Sequence, residues 1–161
     1  MYGISLYRNA DKNVIKPLQI IQNKLLRVLT KKAYTYSTDK LHKDLDILKV
    51  RDLHEQEVLS FTYKFVNKSI PNAMKDHFTM VSDIHNVNTR NRNYNIKDPC
   101  LKSKIGKLAI KQKGATLWNG LKKSLKSSTS LKMFRLEFQK IKYCNTHAYN
   151  LIVKFNFTKI Q

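Results

Sequence analysis

The chain has 161 residues and carries 31 lysines and arginines against 11 acidic residues, a formal charge of +20 with a pI near 10.0. That length, with a 42% hydrophobic share, suits one domain able to bury its own core. The charge excludes a cationic partner and favours a polyphosphate, although AT-rich codons would produce the same excess of Lys, Asn, Ile and Tyr. Two cysteines, Cys100 and Cys144, are too few for a disulfide scaffold and point to a reducing, intracellular compartment. No apolar run reaches the length of a membrane span, and Met1 to Arg8 lacks the pattern of a secretory leader.

From about residue 14 to 31, Leu18, Ile21, Leu25, Val28 and Leu29 recur at helical period. Pro17 suits the first turn, and Lys31 and Lys32 suit the C-terminal end, where the helix dipole favours cations. This helix is expected to pack through Ile21 and Leu25 against a second apolar stripe, Phe61 and Phe65. Ser37 or Thr38 can cap a short helix through Leu41 and Leu45. Asp52 and Glu55 have capping-box spacing at the head of a long helix carrying Val58, Phe61 and Phe65 to about Asn67. Pro71 starts a further short helix toward Phe78.

Periodicity lapses over residues 79–100, predicting a long loop with a binding task or little order. Lys107 to Ile110 reads as a short strand, and Gly114 as a turn before Ala115, Thr116, Leu117 and Trp118 enter a helix with Leu121 and Leu125. A polar break at 127–130 ends in a cap for Leu131, Phe134, Phe138 and Ile141. The expected fold is mainly α, about five to six helices in a single domain over residues 1–144, with one short strand pair at most and a tail at 145–161.

No Asp-Asp pair occurs, so the two metals of a polymerase centre have nowhere to bind. Asp44 with Asp46 and Glu55 with Glu57 are i,i+2 pairs, which diverge on a helix and read as solvated charges. His42, His54, His77, His85 and His147 lie apart, and Cys144 with His147 makes only half a zinc site. Neither a phosphate-cradling glycine loop nor a nucleophile motif is present. The sequence predicts no catalytic residue, metal or cofactor.

Charge is uneven: residues 101–161 hold 14 basic residues and one acid, whereas residues 51–100 hold 7 and 6. Within the basic part, Lys111, Lys113, Lys122 and Lys123 surround Trp118, and Arg90 and Arg92 precede Tyr94. Forked guanidiniums, ammonium groups and stackable rings together suit nucleic acid. Trp118 is either a core residue or a base-stacking platform, and Arg90 either a phosphate ligand or a structural pairing group.

Several segments in series resemble the post-polymerase region of non-LTR, LINE-type (jockey-like) retrotransposon reverse transcriptases. They are Tyr2-Gly3-Ile4 with Asn9-Ala10; Gln22-Asn23-Lys24 with Arg27; Leu45 to Asp52; Tyr63-Lys64; Ile70-Pro71; His85 with Thr89-Arg90; Gly114 to Asn119; and Ser130-Leu131 with Phe134. The resemblance implies a C-terminal fragment of an RNA-directed DNA polymerase that helps hold RNA and DNA for target-primed reverse transcription, without polymerase chemistry of its own. It also implies the preceding polymerase domain as a partner, a nuclear or cytoplasmic ribonucleoprotein setting, and Gln22, Asn23, Arg27, Thr89, Gly114 and Asn119 as motif residues. The competing expectation is a retroelement remnant or host helical protein acting only as a protein-interaction module.

Overall fold

A computed structural model describes residues 12–84, 93–103, 106–107 and 109–143. The fold is helical: α1 (Lys12–Thr30), α2 (Thr38–Asp44), α3 (Val50–Val66), 3-10 turns at Asn72–His77 and Val81–Asp83, α4 (Ile110–Asn119), α5 (Lys123–Lys126) and α6 (residues 131–143). Among the described residues the only β pairing is one antiparallel bridge, Met80 to Ile96. None of these helices is long and apolar enough to cross a membrane.

The central element is α3, which buries Val58, Leu59, Thr62 and Tyr63. Leu59 and Tyr63 share the core with Phe78, Ile96, Ala115, Trp118, Leu125, Phe134 and Phe138. Gly114 lies inside α4 rather than at a turn, because that helix approaches α3 very closely. A Cβ there would stand 2.8 Å from Thr62 Oγ1 and 2.9 Å from Phe78 Cζ, so only glycine fits without displacement. The expected strand at 107–110 is likewise absent: Lys107 is helical and Ile110 opens α4. α6 enters the core through Phe134 and Phe138, and Ser130 Oγ accepts from Met133 N–H, the cap that the sequence implied.

Polar contacts bolt α6 to α3. Arg135 spans Glu57 at 3.1 Å and Ser60 Oγ at 3.0 Å, while Lys142 lies 3.0 Å from Asp52 and 2.6 Å from Glu55. Burial alone would lower the Lys142 pKa, but hydrogen bonds and charge from Glu55 and Asp52 prevail and raise it. The carboxylates at 52, 55 and 57 are therefore ion-paired, and Asp52 is not a cap, since α3 already begins at Val50 after Lys49.

The largest departure concerns α1. Its apolar stripe faces away from the domain: Ile21 is 61% exposed, Leu25 56% and Val28 73%. Contact with Phe61 and Phe65 is thus not made by Ile21 and Leu25. α1 instead turns inward its polar side, Gln19, Gln22 and Asn23, with Leu26 as the buried apolar anchor. The reason lies at the start of α3, whose Lys49 provides no side-chain cap and whose first amides need acceptors. Val50 N–H donates to Gln19 Oε1 at 2.9 Å and to Gln22 Oε1 at 3.2 Å, and Gln22 Nε2 donates to the Leu48 carbonyl at 2.9 Å. Buried His42 completes the network, with Nδ1 2.9 Å from the Ile47 carbonyl and Nε2 3.0 Å from Asn23 Oδ1. Pro17 lies inside α1 rather than in its first turn.

Candidate nucleic-acid interface

Of the residues predicted to contact nucleic acid, the described ones divide between the surface and the interior. Lys111 is exposed near the start of α4, and its charge adds to burial in lowering the His77 pKa. Lys113, two residues on and so on another side of the helix, turns inward. Its Nζ is 3.1 Å from His54 Nδ1, and burial, with Arg51 assisting and Glu55 opposing, lowers its pKa. Trp118 is 1% exposed, stacks near Phe134 with centroids 6.1 Å apart, and donates its indole N–H to the Tyr94 carbonyl at 2.8 Å. With no open ring face it is a core residue, which removes the stacking assignment. Arg90, Arg92 and Thr89 lie outside the described residues.

Beyond the C-terminal end of α4 the picture is different. Lys122 and Lys123 are exposed, and Lys123 Nζ stands 5.8 Å from the centroid of Tyr94, itself 42% exposed. The backbone around Tyr94 is held from behind. Lys126 Nζ donates to Asn95 Oδ1 at 3.0 Å, and Asn119 takes both polar groups of Ile96, accepting its N–H at 2.9 Å and donating to its carbonyl at 2.8 Å. Lys126 is buried with a lowered pKa, from burial first and Lys123 second. A ring and two ammonium groups are thus presented to solvent on a braced support.

A second group sits at the C-terminal end of α1. Lys24, Arg27, Val28, Lys31, Lys32 and Tyr34 line an open hollow of about 440 Å³. The Arg27 guanidinium lies 4.7 Å from the centroid of Tyr34, which is 78% exposed, and Lys32 Nζ lies 5.4 Å from that of Tyr36. Arg27 also donates to the Tyr36 carbonyl at 3.4 Å, and its buried Nε has no partner among the described residues. The signal was in the sequence, since two lysines precede alternating tyrosines. Reading Lys31 and Lys32 as partners of the helix dipole concealed it.

Among the described residues no group of three or more His, Cys, Asp or Glu could hold a metal ion. Comparison with protein-family models, curated proteins and solved structures gives no match. Five of the residues that carry the retroelement resemblance have structural work here. Gln22 and Asn23 join α1 to α2 and α3, Arg27 orders the Tyr34–Tyr36 turn, Gly114 permits helix contact, and Asn119 holds Ile96.

Proposed function

We propose that the chain is a non-catalytic, RNA- or DNA-binding C-terminal part of a non-LTR retrotransposon RNA-directed DNA polymerase, serving target-primed reverse transcription in an intracellular ribonucleoprotein. The observation that carries the binding is the pair of solvent-facing cation–aromatic groups, Lys24, Arg27, Lys31, Lys32 and Tyr34 at one place and Lys122, Lys123 and Tyr94 at the other. Cations neutralise phosphates at any sequence, and an exposed ring stacks on any base, so affinity should be salt-sensitive and nearly sequence-independent. The retroelement assignment rests on the order of the segments named above.

Anisotropy titrations of a labelled single-stranded RNA across a salt series test the binding. Lys24, Lys31 and Lys32 together to Gln should flatten the slope of log affinity against log salt by about 2–3 units, roughly one for each phosphate left without its cation. Lys40, Lys64 and Lys68 to Gln, equally exposed, should flatten it by less than about 1 unit. Equal slopes for the two triple variants would leave only diffuse attraction and refute a local site. A second reading, a helical protein-interaction module, is favoured by the uncovered stripe on α1.

A further inference from the structure

We infer that the hollow at the C-terminal end of α1 is a nucleotide clasp selective for single strands, with the Tyr34 ring as the platform for one unpaired base. The inference rests on the nucleic-acid-binding reading above and adds the form of strand that the site takes. α1 stops in a backbone reversal. Lys32 N–H donates to the Arg27 carbonyl at 3.1 Å and Lys31 N–H to the Val28 carbonyl at 3.2 Å, with Lys31 at a φ of 50°. These are the two bonds of a Schellman motif, closed here by lysine where glycine is usual. The turn that follows is fixed as well: Tyr36 N–H donates to the Ala33 carbonyl at 3.0 Å, and Arg27 donates to the Tyr36 carbonyl at 3.4 Å. Backbone bonds on both sides therefore set Tyr34 against Arg27, whose guanidinium lies 4.7 Å from the ring centroid.

The guanidinium covers one face of the ring, yet the residue is 78% exposed, so the opposite face is open. Lys24, Lys31 and Lys32 stand exposed around it, and no carboxylate is among the described residues that line the hollow. Its volume of about 440 Å³ falls within the size range of small-ligand sites. This arrangement separates the two forms of nucleic acid. In a duplex each internal base is stacked on both faces and paired at its edge, so only phosphates reach the lysines. In a single strand a base can turn its face to the ring while its flanking phosphates meet the ammonium groups. Every base has a π face, so the clasp needs no particular sequence. Stacking and phosphate contact make no use of the ribose hydroxyl, so RNA and DNA single strands share the chemistry that the site recognises.

Anisotropy titrations of the full chain test this with probes of about 12 nucleotides, within the usual site sizes for single strands: oligouridylate, oligothymidylate, an abasic deoxyribose-phosphate strand and a DNA duplex. Tyr34→Ala should weaken both base-bearing single strands by about 5- to 100-fold, the range for one lost base–aromatic stack, and change the abasic strand and the duplex by less than about 2-fold. The larger of the two single-strand losses identifies the strand that the clasp prefers. Tyr34→Phe should keep the parent affinities, because the ring and not the hydroxyl is used. Trp118 emission should match the parent chain in both variants, since residue 34 is exposed. A single strand carrying 5-iodouracil should cross-link at Tyr34 of the parent chain on irradiation. Equal losses on all probes, no loss on any, or cross-links elsewhere with none at Tyr34 overturn the clasp and leave salt-sensitive binding through the lysines in place. Failure of every probe to bind at low salt overturns the nucleic-acid reading itself, and the clasp with it. An effect of Tyr34→Ala on binding to phosphatidylserine vesicles, with none on single strands, also overturns the clasp and assigns the ring to a membrane surface.

Discussion

Asn119→Ala should destabilise the protein by about 2–4 kcal/mol, through hydrogen bonds rather than lost apolar volume. Ile96 is 1% exposed and belongs to the bridge with Met80. The bridge bonds run from Val81 N–H to the Asn95 carbonyl and from Lys97 N–H to the Thr79 carbonyl. The N–H and C=O of Ile96 itself therefore point the other way, where the Asn119 amide meets both, at 2.9 and 2.8 Å. Removing it strands a buried donor and acceptor at about 1–3 kcal/mol each, less what water recovers. Urea unfolding followed by emission of Trp118, the single tryptophan and a core residue, reads this directly, and an unchanged m-value identifies the shift as stability. Asn119→Asp should recover little, since a carboxylate cannot donate to the Ile96 carbonyl. A loss under about 0.5 kcal/mol for Asn119→Ala, the size of an ordinary surface change, would mean that water replaces the amide at no cost and that the clasp is incidental.

Neighbouring leucines of α1 should behave oppositely at dilute concentration. Leu26→Ala, at a site 3% exposed, should cost about 2–5 kcal/mol, and Leu25→Ala less than about 0.5 kcal/mol; comparable losses in urea melts would place the wrong face inward. Lys31, Asp46 and Lys68 follow helices with φ of 50°, 51° and 55°, a left-handed conformation that costs a residue with a Cβ about 1–2 kcal/mol. Lys68→Gly should accordingly raise stability by about 0.5–1 kcal/mol, and a lower melting temperature would contradict that. Because the folded-state pKa of Lys142 is raised above 10.5, its contribution is complete below that pH and is lost as pH climbs through the folded value. The stability difference between the parent chain and Lys142→Met should therefore hold between about pH 7 and 9 and shrink above about 10.5; a difference that is flat to pH 12 would show that the lysine has no favoured partner.

The helical class was legible because periodicity marked Phe134 and Phe138, buried in α6, and Val58, buried in α3; Phe61 and Phe65 of the same predicted stripe are only partly buried, and Leu59 and Tyr63 beside it enter the core. For α1 the period was legible and the direction was not. Amphipathicity says which side is apolar, yet says nothing about which side meets the domain, and Gln19, Gln22 and Asn23 find partners at Leu48, Val50 and His42 that only the folded chain brings near. Gly114 looked like a turn because glycine is a poor helix former; its reason is a steric one, the close approach of Thr62 and Phe78. The ends of α1, α2 and α3 were legible to within a residue, although Lys31, Asp46 and Lys68 stand there with positive φ in place of the usual glycine. Of the predicted binding group, the exposed Lys111, Lys122 and Lys123 kept their solvent access. Lys113 and Trp118 were absorbed by nonlocal partners, His54 and the Tyr94 carbonyl.

The bridge that laces Thr79, Met80 and Val81 to Asn95, Ile96 and Lys97 is backed by Asn119 and Trp118 of α4 and by Lys126 of α5. A single pair of short extended segments is marginal in water without such support. Its hydrogen bonds are therefore tied to the helices behind it, and they open when α4 leaves α3 rather than by local fraying. In hydrogen exchange the Ile96 amide, held by Asn119, should report global opening of the domain, although it belongs to no helix.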